Sequence, residues 1–319
     1  MREERRKRRK RQQIITLVVC ALAVAALSML AALCWTPINL TTLIWGTATV
    51  VRKLTNYGNR SIASSQSDIQ EDQPTDTSAA DQTVEDRFAG VAKNSYDAAG
   101  FYKEDGFLRY GDGTLGSEVG VDISSHQQSV DWEAVKAAGV DFAILRAGYR
   151  GYTEGAIQED ETFLTNFAAA KAAGLKVGVY FFSQALDKAE AVEEAEFVLN
   201  LLDGAELDYP IFFDWEDIEA EARTDGMDSV TLTACAVAFC KRVELNGYRA
   251  GVYFNQRFGF EEFDLRDLQD YELWLAEYAL SPSFPYHFDV WQYANDGMLS
   301  GVDGPVDLNL AFVESRTAE

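Results

Sequence analysis

The 319-residue sequence is short of histidine, of basic charge and of useful cysteine. It holds two histidines, His126 and His287, which nearly excludes a zinc hydrolase built on several imidazole ligands. There are 28 Lys+Arg against 51 Asp+Glu, a net charge of -23. Such a surface repels phosphate, so nucleic acid is excluded as a partner. Four cysteines are present, and Cys20 and Cys34 fall in an apolar N-terminal run. Cys235 and Cys240 lie in a stretch that reads as helix, TLTACAVAFCKRVE. Five residues apart, they point ~140° away from each other, and a disulfide between them requires backbone distortion. No G-x-S-x-G elbow, P-loop or Rossmann glycine fingerprint occurs, so none of those chemistries has its motif. What remains is 47% hydrophobic and 25% charged, the profile of a globular protein.

Charge and hydropathy divide the chain. Residues 2–11 hold eight of the 28 basic groups and two acids, which leaves 20 basic against 49 acidic groups elsewhere. From Gln12 to Val51 no residue is charged, and Ile14–Trp35 is an apolar run of 22 residues. A membrane helix needs ~20. The run exceeds the ~7–15 apolar residues of a secretory signal, and no clear small-x-small site closes it. The expectation is a basic cytoplasmic segment (1–13) and a transmembrane signal anchor (14–35), with the C-terminal bulk outside the cytoplasm. A cleaved, secreted form is the alternative. An outside domain without a useful disulfide fits a bacterial surface better than an animal secretion. Residues 36–51 either extend the helix beyond Pro37 or lie at the interface. The region up to residue 87 is rich in Ser, Thr, Gln and Asp and reads as a solvated stalk. Residues 88–116 regain aromatics and are expected to pack on the domain edge as an N-terminal extension. The domain proper occupies 117–319.

Within that domain, strand patterns occur at 118–124, 142–149, 176–184, 210–216, 249–255, 272–278, 289–294 and 306–312. Helical patterns fill 131–138, 160–173, 187–202 and 228–246. Alternating strands and helices imply an α/β fold with a parallel sheet. Eight strands over ~200 residues point to a closed, TIM-like barrel, since ~250 is typical of the full version. The last three strands lie too close together for helices between them, so the barrel is incomplete on its helical side.

Active sites of such barrels sit at the C-terminal strand ends. The first strand ends at Asp122, the fourth at Asp214 and Glu216, and the eighth begins around Asp307. Residues two apart on a strand share a face, so Asp214 and Glu216 point one way and Trp215 the other. Two adjacent carboxylates after Ile211, Phe212 and Phe213 raise each other's cost of ionisation, and one keeps a proton near neutral pH. A general acid needs that proton. The plain alternative pairs these acids with Arg146 or Arg150, or leaves them in solvent. His126 reads as a turn residue rather than a base. Tyr180, Phe182, Tyr253, Trp274 and Tyr278 cluster at the same strand ends, and flat aromatic walls beside carboxylates suit sugar rings. Trp291 reads as core.

The segments GVDISSHQQSVDW (120–132), DWE (214–216), LWLAEY (273–278), WQY (291–293) and GVDGPVDLN (301–309), in this order, resemble glycoside hydrolase family 25. These are the Chalaropsis-type lysozymes, which are N-acetylmuramidases. The resemblance covers about residues 117–313. It implies a barrel of five β/α units followed by three strands, (β/α)5(β)3, without metal; the further expectation is a monomer without cofactor. It implies hydrolysis of the β-1,4 bond after N-acetylmuramic acid in the glycan strand of peptidoglycan. Carried over by motif, Glu216 is the general acid and Asp214 stabilises charge on the sugar side or orients the acetamido group. Asp122 and Asp307 complete an acidic floor, and Gln292 joins the aromatics as a substrate contact. Gln128 departs from the pattern, because many relatives have glycine there. A chitinase-like D-x-x-D-x-D-x-E strand fails at Tyr209 and Phe212. The rival of another class is a catalytically inactive, membrane-tethered wall-binding module, which has no need of costly clustered carboxylates. Incubation with EDTA is expected to leave cell-wall hydrolysis unchanged. Loss of activity restored by a divalent ion would contradict the metal-free reading.

Overall fold

The structure, a computed structural model, describes residues 87–218 and 220–314. The basic segment, the expected anchor and the stalk fall outside the described residues. Among the described residues no helix is long and apolar enough to cross a membrane.

Eleven strands and four α-helices are described: β1 (Phe101–Glu104), β2 (Phe107–Tyr110), β3 (Leu115–Ile123), α1 (Trp132–Ala137), β4 (Phe142–Arg150), β5 (Ile157–Glu159), α2 (Phe163–Ala172), β6 (Lys176–Ser183), α3 (Lys188–Leu202), β7 (Ile211–Trp215), α4 (Ser229–Glu244), β8 (Ala250–Asn255), β9 (Glu272–Ala276), β10 (Val290–Met298) and β11 (Pro305–Glu314). Each of the eight strand patterns and four helical patterns finds its element, with ends shifted by a few residues. Asp131, Asp187 and Asp228 cap α1, α3 and α4, each accepting from backbone N–H groups of the first turn. Such caps contribute about 1 kcal/mol each.

The sheet runs β3-β11-β10-β9-β8-β7-β6-β4-β5, and β3 also pairs with β4. That pairing closes an eight-stranded barrel, with β5 as a short appendage on β4. Pairings from β3 through β4 and β6 to β10 are parallel, whereas β11 is antiparallel to both β10 and β3. Four crossovers contain α-helices. The fifth, between β8 and β9, holds a π turn (Phe258–Glu262) and a 3-10 turn (Leu265–Asp267) in place of a fifth α-helix. The short span and the aromatics Phe258 and Phe263, both buried, pin this segment against Phe254 and Trp215.

Alternation along the strands separates two cores. Val119, Val121, Val177, Val179, Phe181, Ile211, Phe213, Val252 and Leu275 face outwards beneath helices and loops. Phe142, Ile144, Tyr180, Tyr209, Phe212, Tyr253 and Trp274 fill the barrel interior with Ala276, Val290 and Ala311. Inward-facing glycines admit the large rings. A Cβ on Gly120 would strike the Phe142 ring, and one on Gly251 the Phe212 ring. Tyr209 plugs the lower end, stacked on Phe142 at 4.3 Å, with its hydroxyl donating to Glu118 at 2.7 Å. The barrel is thus solid below its upper mouth.

The N-terminal extension packs as an aromatic brace. Phe88 stacks on Tyr286 at 4.6 Å and Tyr96 on Phe312 at 3.6 Å. The hairpin β1–β2 turns at Asp105-Gly106, where both residues have positive φ (51° and 87°). This Asp-Gly pair is the two-residue turn signal of a hairpin. Because the brace covers Trp291 and Phe312, a chain beginning at Arg87 is expected to unfold cooperatively. A chain beginning at Ser117 should melt at a markedly lower temperature or aggregate. Equal melting temperatures for the two would show that the brace is dispensable.

Candidate active site

Inward alternation brings Asp122, Asp214, Asn309 and Gln292 together at the mouth, with Glu216 one residue beyond the end of β7. Asp307 lies directly across the ladder from Asp122. It reaches this end because β11 runs antiparallel, so its beginning lies level with the ends of the parallel strands. The four acids singled out from the sequence therefore meet.

Their environments differ. Asp122 is buried and accepts from Gln292 Nε2 at 2.9 Å and Asn309 Nδ2 at 2.8 Å. Burial raises its pKa, while the two amides and a hydrogen bond from Asp307 oppose the rise. Asp307 is pushed up to about 8 by burial first, then by the charge of Asp122 and the hydrogen bond between them. Asp307 is thus the protonated donor of that pair. Asp214 is buried, and its Oδ1 has no hydrogen-bond partner among the described residues. Burial drives its pKa well up, the charges of Glu216 and Asp122 add to this, and Arg146 opposes. Glu216 is partly exposed; burial raises its pKa and the Tyr253 hydroxyl opposes the rise.

A polar shell holds these groups. Gln292 Oε1 accepts from the hydroxyls of Tyr253 (3.1 Å) and Tyr278 (3.2 Å). The indole of Trp274 donates to Asn309 Oδ1 at 2.8 Å, which turns the Asn309 amide towards Asp122. Asn309 escaped the sequence reading as a functional residue, although it stands two positions after Asp307 on the same strand face. Trp274 was expected to line the cleft. At 2% exposure it belongs to the floor under the acids, packed edge-on against Tyr253 at 4.7 Å and Tyr180 at 6.0 Å. Tyr180 and Tyr253 are largely buried with it, and Phe182 is half-buried. Tyr278 is the aromatic of this set that stands open, at 55% exposure. Trp291 faces the outer core, as expected, and donates to the Glu277 carbonyl.

The arginines do not neutralise the acids. Arg146 pairs with Asp160 at 2.8 Å and donates to Ser125 Oγ at 3.0 Å. Arg150 is buried against Glu194 (2.6 Å) and Glu193 (2.8 Å). The alternative in which either arginine pairs with the Asp214–Glu216 couple is therefore overturned. His126 is exposed on a 3-10 turn (Ser125–Gln127) at the end of β3. Gln128, next to that turn, has φ of 54°, a region that favours glycine. Cys235 and Cys240 are buried, unbridged thiols on α4.

Glycosyl hydrolases family 25 matches residues 121–302, more than half of the chain. The chain belongs to this family. The autolytic lysozyme of Clostridium acetobutylicum is 31% identical over 191 residues, 60% of this chain and 54% of that protein. Lysozyme M1 of Streptomyces globisporus is 26% identical over 201 residues, 60% of this chain and 66% of that one. Among solved structures, the modular autolysin LytC of Streptococcus pneumoniae superposes with a TM-score of 0.55 at 25% identity. That match covers 66% of this chain and 52% of LytC. The chain therefore spans about half the length of the autolytic lysozyme and of LytC. In this family-25 domain the matched stretch contains Asp122, Asp214 and Glu216 and ends five residues before Asp307.

The raised pKa of Asp307 has a consequence for stability. Well below pH 4 its carboxyl is protonated whether folded or unfolded. Between there and about pH 8 the unfolded chain ionises it while the folded protein keeps the proton, so stability falls as pH rises. Asn at this position cannot ionise in either state. Asp307→Asn is therefore expected to gain melting temperature relative to the native protein on going from pH 4 to pH 8. Melting curves across that range test it, and a difference independent of pH would contradict it.

Proposed function

We propose that this protein is a muramidase that hydrolyses the β-1,4 bond after N-acetylmuramic acid in peptidoglycan. The observation that carries the reading is the convergence of Asp214 and Glu216 with Asp122 and Asp307 at the open end of a family-25 barrel. The names of its relatives, an autolytic lysozyme and an autolysin, support the substrate class. In this reading the segment Phe258–Asp267 stands as the fifth helical unit of the (β/α)5(β)3 arrangement.

Glu216 acts as the general acid because it is the more exposed of the two and lies at the rim, where a glycosidic oxygen can reach it. Among the described residues the Tyr253 hydroxyl, shared with Gln292, lies beside Glu216, and no donor meets Asp214 Oδ1, so the shared proton favours Asp214. The 2-acetamido N–H of a bound sugar supplies the donor that Asp214 Oδ1 lacks. Asp214 then ionises and the proton resides on Glu216, poised for the leaving group. Glu216 protonates the glycosidic oxygen as the C1–O bond breaks. The acetamido oxygen, oriented by Asp214, attacks C1 from the opposite face and takes up the developing positive charge. Glu216, now a carboxylate, removes a proton from the water that opens this intermediate. Two inversions at C1 give retention of configuration. Asp122, braced by Gln292 and Asn309, supplies negative potential beneath C1. Tyr278 and the partly open Phe182 offer apolar faces to the sugar rings.

The expected product carries N-acetylmuramic acid at new reducing ends, which borohydride reduction and mass spectrometry identify. Reducing-end N-acetylglucosamine would indicate a different bond. Glu216→Gln is expected to lower the rate of wall clearing by ~10²–10⁴-fold while the melting temperature stays or rises. Retention of a tenth or more of the native rate would overturn the assignment of the acid. Asp214→Asn should also be severe. The pair titrates as one unit, so with one carboxyl removed the alkaline limb of the residual activity moves to lower pH. A native protein that binds walls without clearing them would favour the inactive binding module.

Membrane tethering belongs to this proposal. The apolar run Ile14–Trp35 behind a basic cluster supports it, with the barrel outside the cytoplasm facing the cell's own wall. Recovery of the full chain in the membrane fraction, with its barrel open to protease added outside, is the expected result.

A further inference from the structure

Strand β7 loses its ladder just before the residue that matters most. Its register with β8 ends at Asp214 opposite Tyr253, and with β6 at Trp215 opposite Ser183. Glu216 therefore has no strand partner. The residue after Ser183 is Gln184, which is fully buried. Its side-chain Nε2 donates to the main-chain carbonyl of Glu216 at 3.3 Å, and its Oε1 accepts from Thr224 Oγ1 at 2.7 Å. Both ends of a buried amide are thus satisfied by the segment that carries the acid. Burying a primary amide is costly, and an apolar side chain would fill the same space at less cost.

Gln184 is itself held on every side. Its backbone N–H bonds to Glu194, which Arg150 and Ser183 fix at 2.6 Å each. Its carbonyl accepts from Arg223 Nη1 at 3.4 Å. Arg223 also pairs with Glu190 at 2.7 Å, and its own N–H donates to the Tyr152 carbonyl at 2.8 Å. Arg223 and Thr224 belong to the loop between β7 and α4, so this loop is clamped to the ends of β4 and β6 through one residue.

We propose that Gln184 is a positioning residue for Glu216. Its side chain extends the β6–β7 ladder by one residue and fixes the peptide plane from which the Glu216 carboxyl projects. Thr224 holds the amide in the orientation that presents its N–H₂ group to Glu216. The proposal rests on the reading of Glu216 as the general acid.

The test compares kcat, KM and pH profile on soluble peptidoglycan fragments. Gln184→Met keeps the volume and removes both hydrogen bonds. Misplacement of a catalytic group by about 1 Å costs up to ~10²-fold, so kcat is expected to fall by about 10- to 100-fold. KM should stay within about twofold, because the groups that bind the sugar are untouched. The alkaline limb should shift as well, since the Glu216 carboxyl changes its distance to Tyr253. Thr224→Val removes only the outer bond and should lower kcat in the same direction by less. Asn166→Leu serves as the structural comparator: it breaks the buried 3.1 Å bond from the Trp132 indole, between two helices that carry none of the acids. It should lower the melting temperature and leave kcat unchanged. Should Gln184→Met fail to fold, Thr224→Val carries the same test with Gln184 in place. Native kcat and pH profile in the folded Gln184 and Thr224 variants would overturn the positioning role alone. A native protein without hydrolytic activity would instead remove the reading of Glu216 on which it rests.

Discussion

The cost of keeping carboxyl groups out of water governs the upper half of this barrel. For Asp122, Asp214, Glu216 and Asp307 alike, burial is the largest influence on ionisation. A direct arginine partner would relieve that cost and would also pull the pKa values down, leaving no proton to deliver. The structure relieves it with neutral groups. Two amides steady Asp122, tyrosine hydroxyls meet Gln292 and Glu216, and Asp307 retains its own proton. The arginines are paired with other acids, Arg146 with Asp160 and Arg150 with Glu193 and Glu194. Arg146 still acts through space on Asp214, which limits how far that pKa rises. The site is therefore set between two failures, full neutralisation by cations and full protonation by burial.

Such a site is destabilising, and the rest of the fold has to offset it. Stability and activity compete wherever buried polar groups are arranged for chemistry rather than for mutual satisfaction. The compensation is visible on the outer side of the barrel. There buried aromatic and branched aliphatic side chains form one continuous core, and the N-terminal extension adds Phe88, Tyr96 and Phe101 to it. The interior below the acids is equally filled, from Tyr209 at the base to Trp274 beneath Asn309. A packed floor also matters electrostatically, because it keeps water from screening the carboxyls from below.

Much of this was legible in the sequence, and what was missed shares a cause. Strand faces and helical stretches are local signals: alternation placed Asp214 and Glu216 on one face, and helical patterning located α1 to α4. Depth along the barrel axis is not local. Trp274 and Ala276 share an inward face, but periodicity does not say that the tryptophan lies a layer below the acids. Nor does it reveal hydrogen bonds between residues far apart in the chain, such as Gln292 and Asn309 to Asp122, separated by 170 and 187 positions. Gln184 is hidden for the same reason, since its partners Glu216 and Thr224 lie 32 and 40 residues away. The fifth unit that the resemblance implied, between β8 and β9, consists of two short turns held by the buried Phe258 and Phe263, which no helical period announces.

The direction of one strand decides whether the site exists. In a wholly parallel barrel the beginning of β11 would lie at the lower end, and Asp307 would face Tyr209 rather than Asp122. Running antiparallel, β11 sets Asp307 opposite Asp122 and Asn309 opposite Gly120. The absence of a side chain at Gly120 leaves the Asn309 amide free to turn towards Asp122 while Phe142 fills the space below. The register is equally binding. A slip of one residue would turn Asp307, Asn309 and Ala311 outwards and bring Leu308 and Leu310 into the mouth. The same slip would expose Asp307 and Asn309 to the apolar outer core, so the hydrophobic pattern of β11 opposes it from both faces. The packing that closes the barrel is thus the packing that assembles the acids, and neither can be altered at β11 without the other.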